Sequence, residues 1–290
     1  EEKRKGVIAC SAGNHAQGVA LAASRCGIKS LICLPDSAPI SKVEATKGYG
    51  ADVCLVEGCY DDAYQKALEL KERDGYTFVH PFDDENVIAG QGTVGLEIMN
   101  DLDDIDAIIV PVGGGGLISG IAYAVKQIRP SIKIYGVQSA GAAGMYSSVK
   151  NGKIECLDKV QTVADGIAVK QPGENTFSLV REYVDDIALV SDDEISSAIL
   201  ALIEKQKMIA EGAGAASVAA AMFGKFPIKG KKTVCVVSGG NIDVTSLSRV
   251  IERGLMKSGR SSSLLIELID KPGQLKEISR IISDCGANVT

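Results

Sequence analysis

Residues 11–18 read SAGNHAQG, a run of small and polar side chains between an apolar, strand-like stretch at 7–10 and a helical pattern from Val19. A strand that turns into a helix through such residues leaves backbone N–H groups unpaired at the helix start, where an anion can be held. Gly13 lets the backbone approach closely, and Ser11, Asn14, His15 and Gln17 place polar groups around one turn. A well-capped turn with no ligand is the alternative reading. Two further clusters follow strand-like runs. Residues 107–112 lead into Gly113, Gly114, Gly115 and Gly116 and then Leu117, four glycines whose N–H groups can converge on a phosphate. Close packing of that turn on a neighbouring sheet is the competing explanation. The run at 233–237 ends in Ser238, Gly239, Gly240 and Asn241, which sets a hydroxyl at the carboxyl end of a strand, the edge where open α/β sheets bind ligands. On its own Ser238 reads first as a helix N-cap and only second as a ligand group.

None of these clusters is a nucleotide motif. The position that needs the third glycine of a dinucleotide fingerprint holds Ile118 or Ser119, depending on register, and no GK[ST] follows the glycines.

The elements that must carry the clusters follow from hydropathy. Strand-like runs lie at 7–10, 30–34, 52–56, 77–79, 107–112, 133–137, 186–190 and 233–238, with helical patterns at 61–73, 87–100, 117–127, 193–209 and 214–223. Continuous apolar strands alternating with helices predict parallel sheets covered on both faces, an α/β architecture. Residues 1–85 form a first unit, 86–258 a second and larger one, and 259–263 read as a serine-rich linker. Beyond it, a strand at 264–269, a DKPG turn, a helix at 274–285 and a strand-like 286–290 are expected, too little surface to fold alone. Both ends are therefore expected to be internal to a longer protein.

Composition narrows the partners. With 46% apolar residues in 290, the chain can bury substantial cores. Its 31 basic against 37 acidic residues, with no basic stripe among aromatics, argue against nucleic acid. No apolar run approaches the roughly 20 residues that span a bilayer, and the charged opening is not a signal peptide. Eight scattered cysteines without a CxxC pair are expected to be buried, reduced thiols of a cytoplasmic protein.

Six motifs in order now carry a resemblance: SAGNHAQG; HPFDD at 80–84 with GQGT at 90–93; VPVGGGGL at 110–117; ADGIAVK at 164–170; EGAGA at 211–215; and SGGN at 238–241. Together they resemble the threonine dehydratase (threonine ammonia-lyase) family. The resemblance covers residues 1 to about 258, and the D-x-P-G-x-L of residues 270–275 is similar to the opening of an ACT regulatory domain. It implies the tryptophan synthase β-like fold of the fold type II enzymes, two doubly wound open sheets followed by a truncated α+β ACT module. It also implies pyridoxal 5′-phosphate as cofactor and an amino acid as substrate. The intact enzyme would be a homo-oligomer, with an amino-acid effector bound by the complete ACT domain. Carried over by position, Ser11, Gly13 and His15 hold the substrate carboxylate and Asn14 lies near the ring hydroxyl of the cofactor. Gly113, Gly114, Gly115, Gly116 and Leu117 hold its phosphate, Gly166 approaches the ring and Ser238 meets the ring nitrogen.

The reaction implied is loss of water and ammonia from L-threonine to give 2-oxobutanoate, with L-serine as a secondary substrate. Isoleucine biosynthesis and threonine catabolism are both open. Ala12 stands where serine racemases carry a second serine, and Gln138 and Gly144 stand where they carry acidic metal ligands, so racemisation and a divalent metal are not expected. The family's Schiff-base lysine precedes the SAGNH turn in a lysine-x-arginine-glycine context, and no lysine here has those neighbours. The 290 residues alone are accordingly expected to be inactive, and a non-catalytic cofactor-binding or regulatory polypeptide is the alternative reading, with a serine racemase or serine dehydratase as a second alternative. A lysine–aldehyde absorbance band bleached by borohydride would refute that inactivity.

Overall fold

The computed structural model describes residues 2–289. After a short helix α1 (Glu2–Lys5), the chain runs β1 (Val7–Cys10), α2 (Asn14–Arg25), β2 (Ser30–Pro35), α3 (Ile40–Gly48), β3 (Asp52–Val56), α4 (Tyr60–Asp74) and β4 (Thr77–Phe78). These strands make one parallel sheet in the order β3-β2-β1-β4. A second passage runs α5 (Glu85–Asp101), β5 (Ala107–Pro111), α6 (Gly116–Ile128), β6 (Lys133–Ser139) and α7 (Gly144–Asn151). It continues through α8 (Glu174–Tyr183), β7 (Asp186–Val190), α9 (Asp192–Ala201), α10 (Gly212–Met222), β8 (Thr233–Cys235) and α11 (Val244–Lys257), and α12 (Gln274–Asp284) follows. Its strands form a second parallel sheet, β7-β6-β5-β8.

Alternation along each strand explains why both faces are covered. In β5, Ala107 and Ile109 enter one core cluster and Ile108 and Val110 another, all fully buried. In β1, Ala9 faces one cluster and Ile8 and Cys10 the other. Each buried isoleucine contributes about 1.5–3 kcal/mol from removal of its surface from water.

The strand order fixes where a ligand can sit. In the first sheet β2 and β3 lie to one side of β1 and β4 to the other, and in the second β6 and β7 lie to one side of β5 and β8 to the other. Each is a topological switch point, and ligands of open α/β sheets bind outside the carboxyl ends of the strands there. SAGNHAQG, HPFDD, the glycine quartet and SGGN follow β1, β4, β5 and β8 respectively.

Several sequence expectations need correction. No strand forms at 264–269, where Leu265 is 97% exposed, because no neighbouring strand among the described residues pairs its N–H and C=O groups. Thr290, the end of the strand-like 286–290, lies outside the described residues, and no strand is assigned at 286–289. The helix expected at 193–209 ends at Ala201, continues as a π-helical turn Leu202–Gln206 and stops at Lys207, whose φ of 56° is left-handed. Burial of the thiols holds only inside the strands. Cys10 and Cys33 are buried, Cys54 and Cys235 are partly so, and Cys26, Cys59, Cys156 and Cys285, at helix ends and in loops, are exposed. Burial and the neighbouring Cys54 and Cys10 thiols push Cys33 up to about 12, which keeps it protonated and inert. No helix among the described residues is long and apolar enough to cross a membrane.

Candidate functional site

The turn after β1 is built around its own backbone. Ser11 Oγ accepts from the Gly13 N–H at 3.1 Å, so that N–H serves the turn rather than a ligand. The N–H groups of Asn14, His15 and Ala16, in the first turn of the 12-residue α2, have no acceptor among the described residues. They form the open end of a helix dipole, suited to a small carboxylate. The His15 ring bonds the Val79 carbonyl at 3.0 Å, tying the turn to the end of β4.

Burial holds the His15 pKa below its ordinary 6.5; the Val79 bond opposes that, and His80 nearby adds to it. His80 is lowered as well, again by burial, against the pull of Asp83 and Asp84. The folded state thus resists a proton that the unfolded chain accepts below about pH 6.5, so stability falls as pH drops through that value. We expect the urea midpoint to decrease from pH 7.5 to pH 5.5, and the decrease to be shallower in His15→Gln. Parallel slopes in the two proteins would contradict this assignment.

HPFDD is a connector in which nearly every side chain is tied. His80 Nδ1 accepts from the Phe82 and Asp83 N–H groups at 3.2 and 2.7 Å. Asp83 accepts from the Thr176 and Glu174 N–H groups, capping α8 from a distance. Asp84 caps α5 through Asn86 and Val87. Phe82 lies on the glycine quartet.

That quartet is shaped by packing as well as by its open donors. A Cβ on Gly114 would lie 2.4 Å from the Phe82 ring, and one on Gly116 2.9 Å from the Phe82 Cα. Gly115, at φ 102°, would press on Met145 and Thr176. Packing thus requires these glycines, against the Phe82 connector and two helices rather than against a neighbouring sheet, and it leaves their N–H groups open. The N–H groups of Gly113, Gly114, Gly115, Gly116 and Leu117 have no acceptor among the described residues. Five consecutive donors at the start of the 13-residue α6 fit a phosphate dianion.

The remaining motifs converge on the same place. A Cβ on Gly113 would meet Ile167 at 3.1 Å, in the turn Asp165–Ile167 that contains Gly166. A Cβ on Gly166 would meet Ala213 and then Glu211, and one on Gly239 would meet Glu211 Oε1 at 2.3 Å and Asn14 Nδ2 at 2.9 Å. Ser238, next to Gly239, is exposed, and its hydroxyl makes no bond to the described residues. It caps no helix. The N-cap of α11 is Asp243, which accepts from the Ser246 N–H.

One residue of this cluster was not singled out as a site residue. Glu211 reads in the sequence as an acid at a helix start, but it is 4% exposed and accepts from Asn14 Nδ2 at 2.7 Å across the cleft between the sheets. The available signal was that glutamate is not among the residues favoured at an N-cap. At the positions of the racemase metal ligands, Gln138 is fully buried and accepts from the Tyr146 N–H, and a Cβ on Gly144 would lie 2.9 Å from the Lys170 carbonyl oxygen. No group of three metal-ligating side chains occurs among the described residues.

The geometry matches known proteins. The family described as pyridoxal-phosphate dependent enzyme matches residues 1–240. The L-threonine ammonia-lyase of Thermotoga maritima is 51% identical over 289 residues, all of this chain and 72% of its own length. The processed form of threonine deaminase isoform 2 from Solanum lycopersicum superposes with a TM-score of 0.83 at 45% identity, over 87% of this chain and 74% of that one. A serine racemase from Dictyostelium discoideum gives 0.78 at 37% identity, over 84% and 78%. On the match over residues 1–240 and the identity along the whole chain, the protein belongs to the pyridoxal-phosphate dependent enzymes, in the family of the threonine ammonia-lyases.

Proposed function

We propose that the protein removes water and ammonia from L-threonine to give 2-oxobutanoate, with L-serine as a poorer substrate. The observation that carries this reading is 51% identity along the whole chain to an L-threonine ammonia-lyase. The five unpaired N–H groups at 113–117 support it, since they fit the phosphate of the family's cofactor. When bound, pyridoxal phosphate supplies an aldehyde for the substrate amine and a ring that draws electrons from Cα.

The chain's own residues would hold and orient the cofactor and the substrate. Gly113, Gly114, Gly115, Gly116 and Leu117 would bind the phosphate through backbone N–H groups. Ser238 would face the ring nitrogen with a hydroxyl, too weak an acid to protonate it, which favours elimination over chemistry that needs a long-lived carbanion. Asn14 would bond the ring hydroxyl, and Gly166, without a side chain, would let its turn approach the ring. Ser11, Gly13 and His15 would shape the pocket for the substrate carboxylate, which the N–H groups of Asn14, His15 and Ala16 would bind.

The same reading divides the chain into 1–85, 86–258, a linker at 259–263 and the opening of an ACT domain from 264. It makes the protein a cytoplasmic homo-oligomer, regulated by an amino acid at an ACT domain.

The natural gene product, loaded with pyridoxal phosphate, is expected to release 2-oxobutanoate and ammonia in equal amounts from L-threonine, and pyruvate more slowly from L-serine. Accumulation of D-serine without keto acid, on chiral chromatography, would instead favour the racemase that the Dictyostelium likeness brings into consideration.

A further inference from the structure

Glu211 occupies the N-cap of α10, yet its side chain makes no capping bond. Its backbone N–H donates to the Gly239 carbonyl at 3.0 Å, which places it against the turn that carries Ser238. Its carboxylate leaves α10 and accepts from Asn14 Nδ2, on a helix 197 residues earlier in the chain and on the other sheet's lobe. A second contact spans the same cleft, Lys42 Nζ to Asp165 Oδ2 at 3.0 Å, beside Gly166. The Lys42 pair is solvent-exposed on the Asp165 side and worth little by itself. The Glu211 bond is different, because a buried carboxylate with few partners is costly to keep. Burial raises its pKa, the Asn14 bond opposes this as the largest favourable contact, Asp165 raises it further, and Lys42 and the Asn241 N–H lower it by less.

The two ends of an asparagine amide differ chemically, one donating and one accepting. A carboxylate offers only acceptors, so it selects the NH2 end of Asn14 and leaves the carbonyl end turned away from it. We propose that Glu211 is a positioning residue: through one hydrogen bond it sets the orientation of the Asn14 amide and holds the α2 turn closed on the Ser238 turn. This rests on the cofactor reading above, in which Asn14 bonds the ring hydroxyl.

The probe is pyridoxine 5′-phosphate, which carries the ring and the phosphate but no aldehyde, so its affinity reports the site without any covalent link. In fluorescence titrations of the full chain, Asn14→Ala and Glu211→Ala are each expected to weaken binding by about 10-fold, the size of one lost bond to a charged group. Because Glu211 acts through Asn14, the double variant is expected to lose about 10-fold as well, not about 100-fold. Glu211→Gln retains an acceptor and is expected to stay within about threefold of wild type. Multiplied effects in the double variant, or a Glu211→Ala protein that binds like wild type, overturn the proposal.

A second readout needs no ligand. Hydrogen exchange over residues 11–18 is expected to be at least about fivefold faster in Glu211→Ala than in wild type and restored in Glu211→Gln. If wild type does not bind the probe, the cofactor reading falls, and the exchange experiment alone decides the lock: faster exchange keeps it and unchanged exchange overturns it.

Discussion

Alanine at Gly120 is expected to destabilise the protein by about 2 kcal/mol, although alanine at an open glycine of the partner helix should do the opposite. Helices α5 and α6 approach so closely that a Cβ on Gly120 would lie 2.2 Å from the Ile88 carbonyl oxygen and 2.6 Å from the Gly92 nitrogen. Both are backbone atoms and cannot turn aside, so the helices must separate. Overpacking of this kind costs about 1–3 kcal/mol or more, against about 1 kcal/mol gained from alanine's helix propensity. Gly90 is exposed in α5 with nothing within 4 Å of its Cβ position, so Gly90→Ala is expected to stabilise by about 0.5–1 kcal/mol. Urea unfolding of both variants reads the difference in sign. A stabilised Gly120→Ala protein would show that the α5–α6 contact is looser than described.

The second large effect is expected at Gly114. Its Cβ would fall on three atoms of the Phe82 ring at 2.4–2.5 Å, and the ring is held by a backbone whose neighbours cap α5 and α8. The loop, the less anchored partner, would move and take its N–H groups out of register with a bound phosphate. Gly114→Ala is therefore expected to weaken pyridoxine 5′-phosphate binding about 100-fold, or about 2.7 kcal/mol, equivalent to one or two bonds to a charged group. Unphosphorylated pyridoxine should change by less than about threefold, because the ring contacts lie elsewhere. Equal losses for both ligands would mean that the substitution disrupts the whole cleft and would remove the phosphate from the argument.

The sequence disclosed the architecture where local pattern decides it. The run at 107–112 is apolar at every position but the proline, and it becomes a strand buried on both faces. Whereas HPFDD stood out only through the family resemblance, the three strand-end clusters at 11–18, 113–117 and 238–241 were legible for the same reason, since turn chemistry is local. What they pack against was not. The glycines at 114 and 116 make room for Phe82, more than 30 residues earlier in the chain, and no spacing rule connects the two. Glu211 was legible only as a helix-starting acid because its partner Asn14 lies on the other lobe. The strand at 77–79 was legible from its β-favouring residues; β4 itself is two residues long, and Val79 just beyond it still donates to the Ile8 carbonyl. Residues 264–269 failed in the other direction. Their composition is that of a strand, but a strand exists only where a neighbour accepts its hydrogen bonds.

The claim on which the rest depends is that the carboxyl ends of β1, β5 and β8 together bind a phosphorylated pyridine through the open donors at 113–117. Amide NMR of the chain titrated with pyridoxine 5′-phosphate tests it directly. The largest shifts at saturation are expected at the N–H resonances of Gly113, Gly114, Gly115, Gly116 and Leu117, with smaller ones at Asn14 and Ser238. Saturable binding that leaves those five amides unmoved, or no binding at all, would contradict the account.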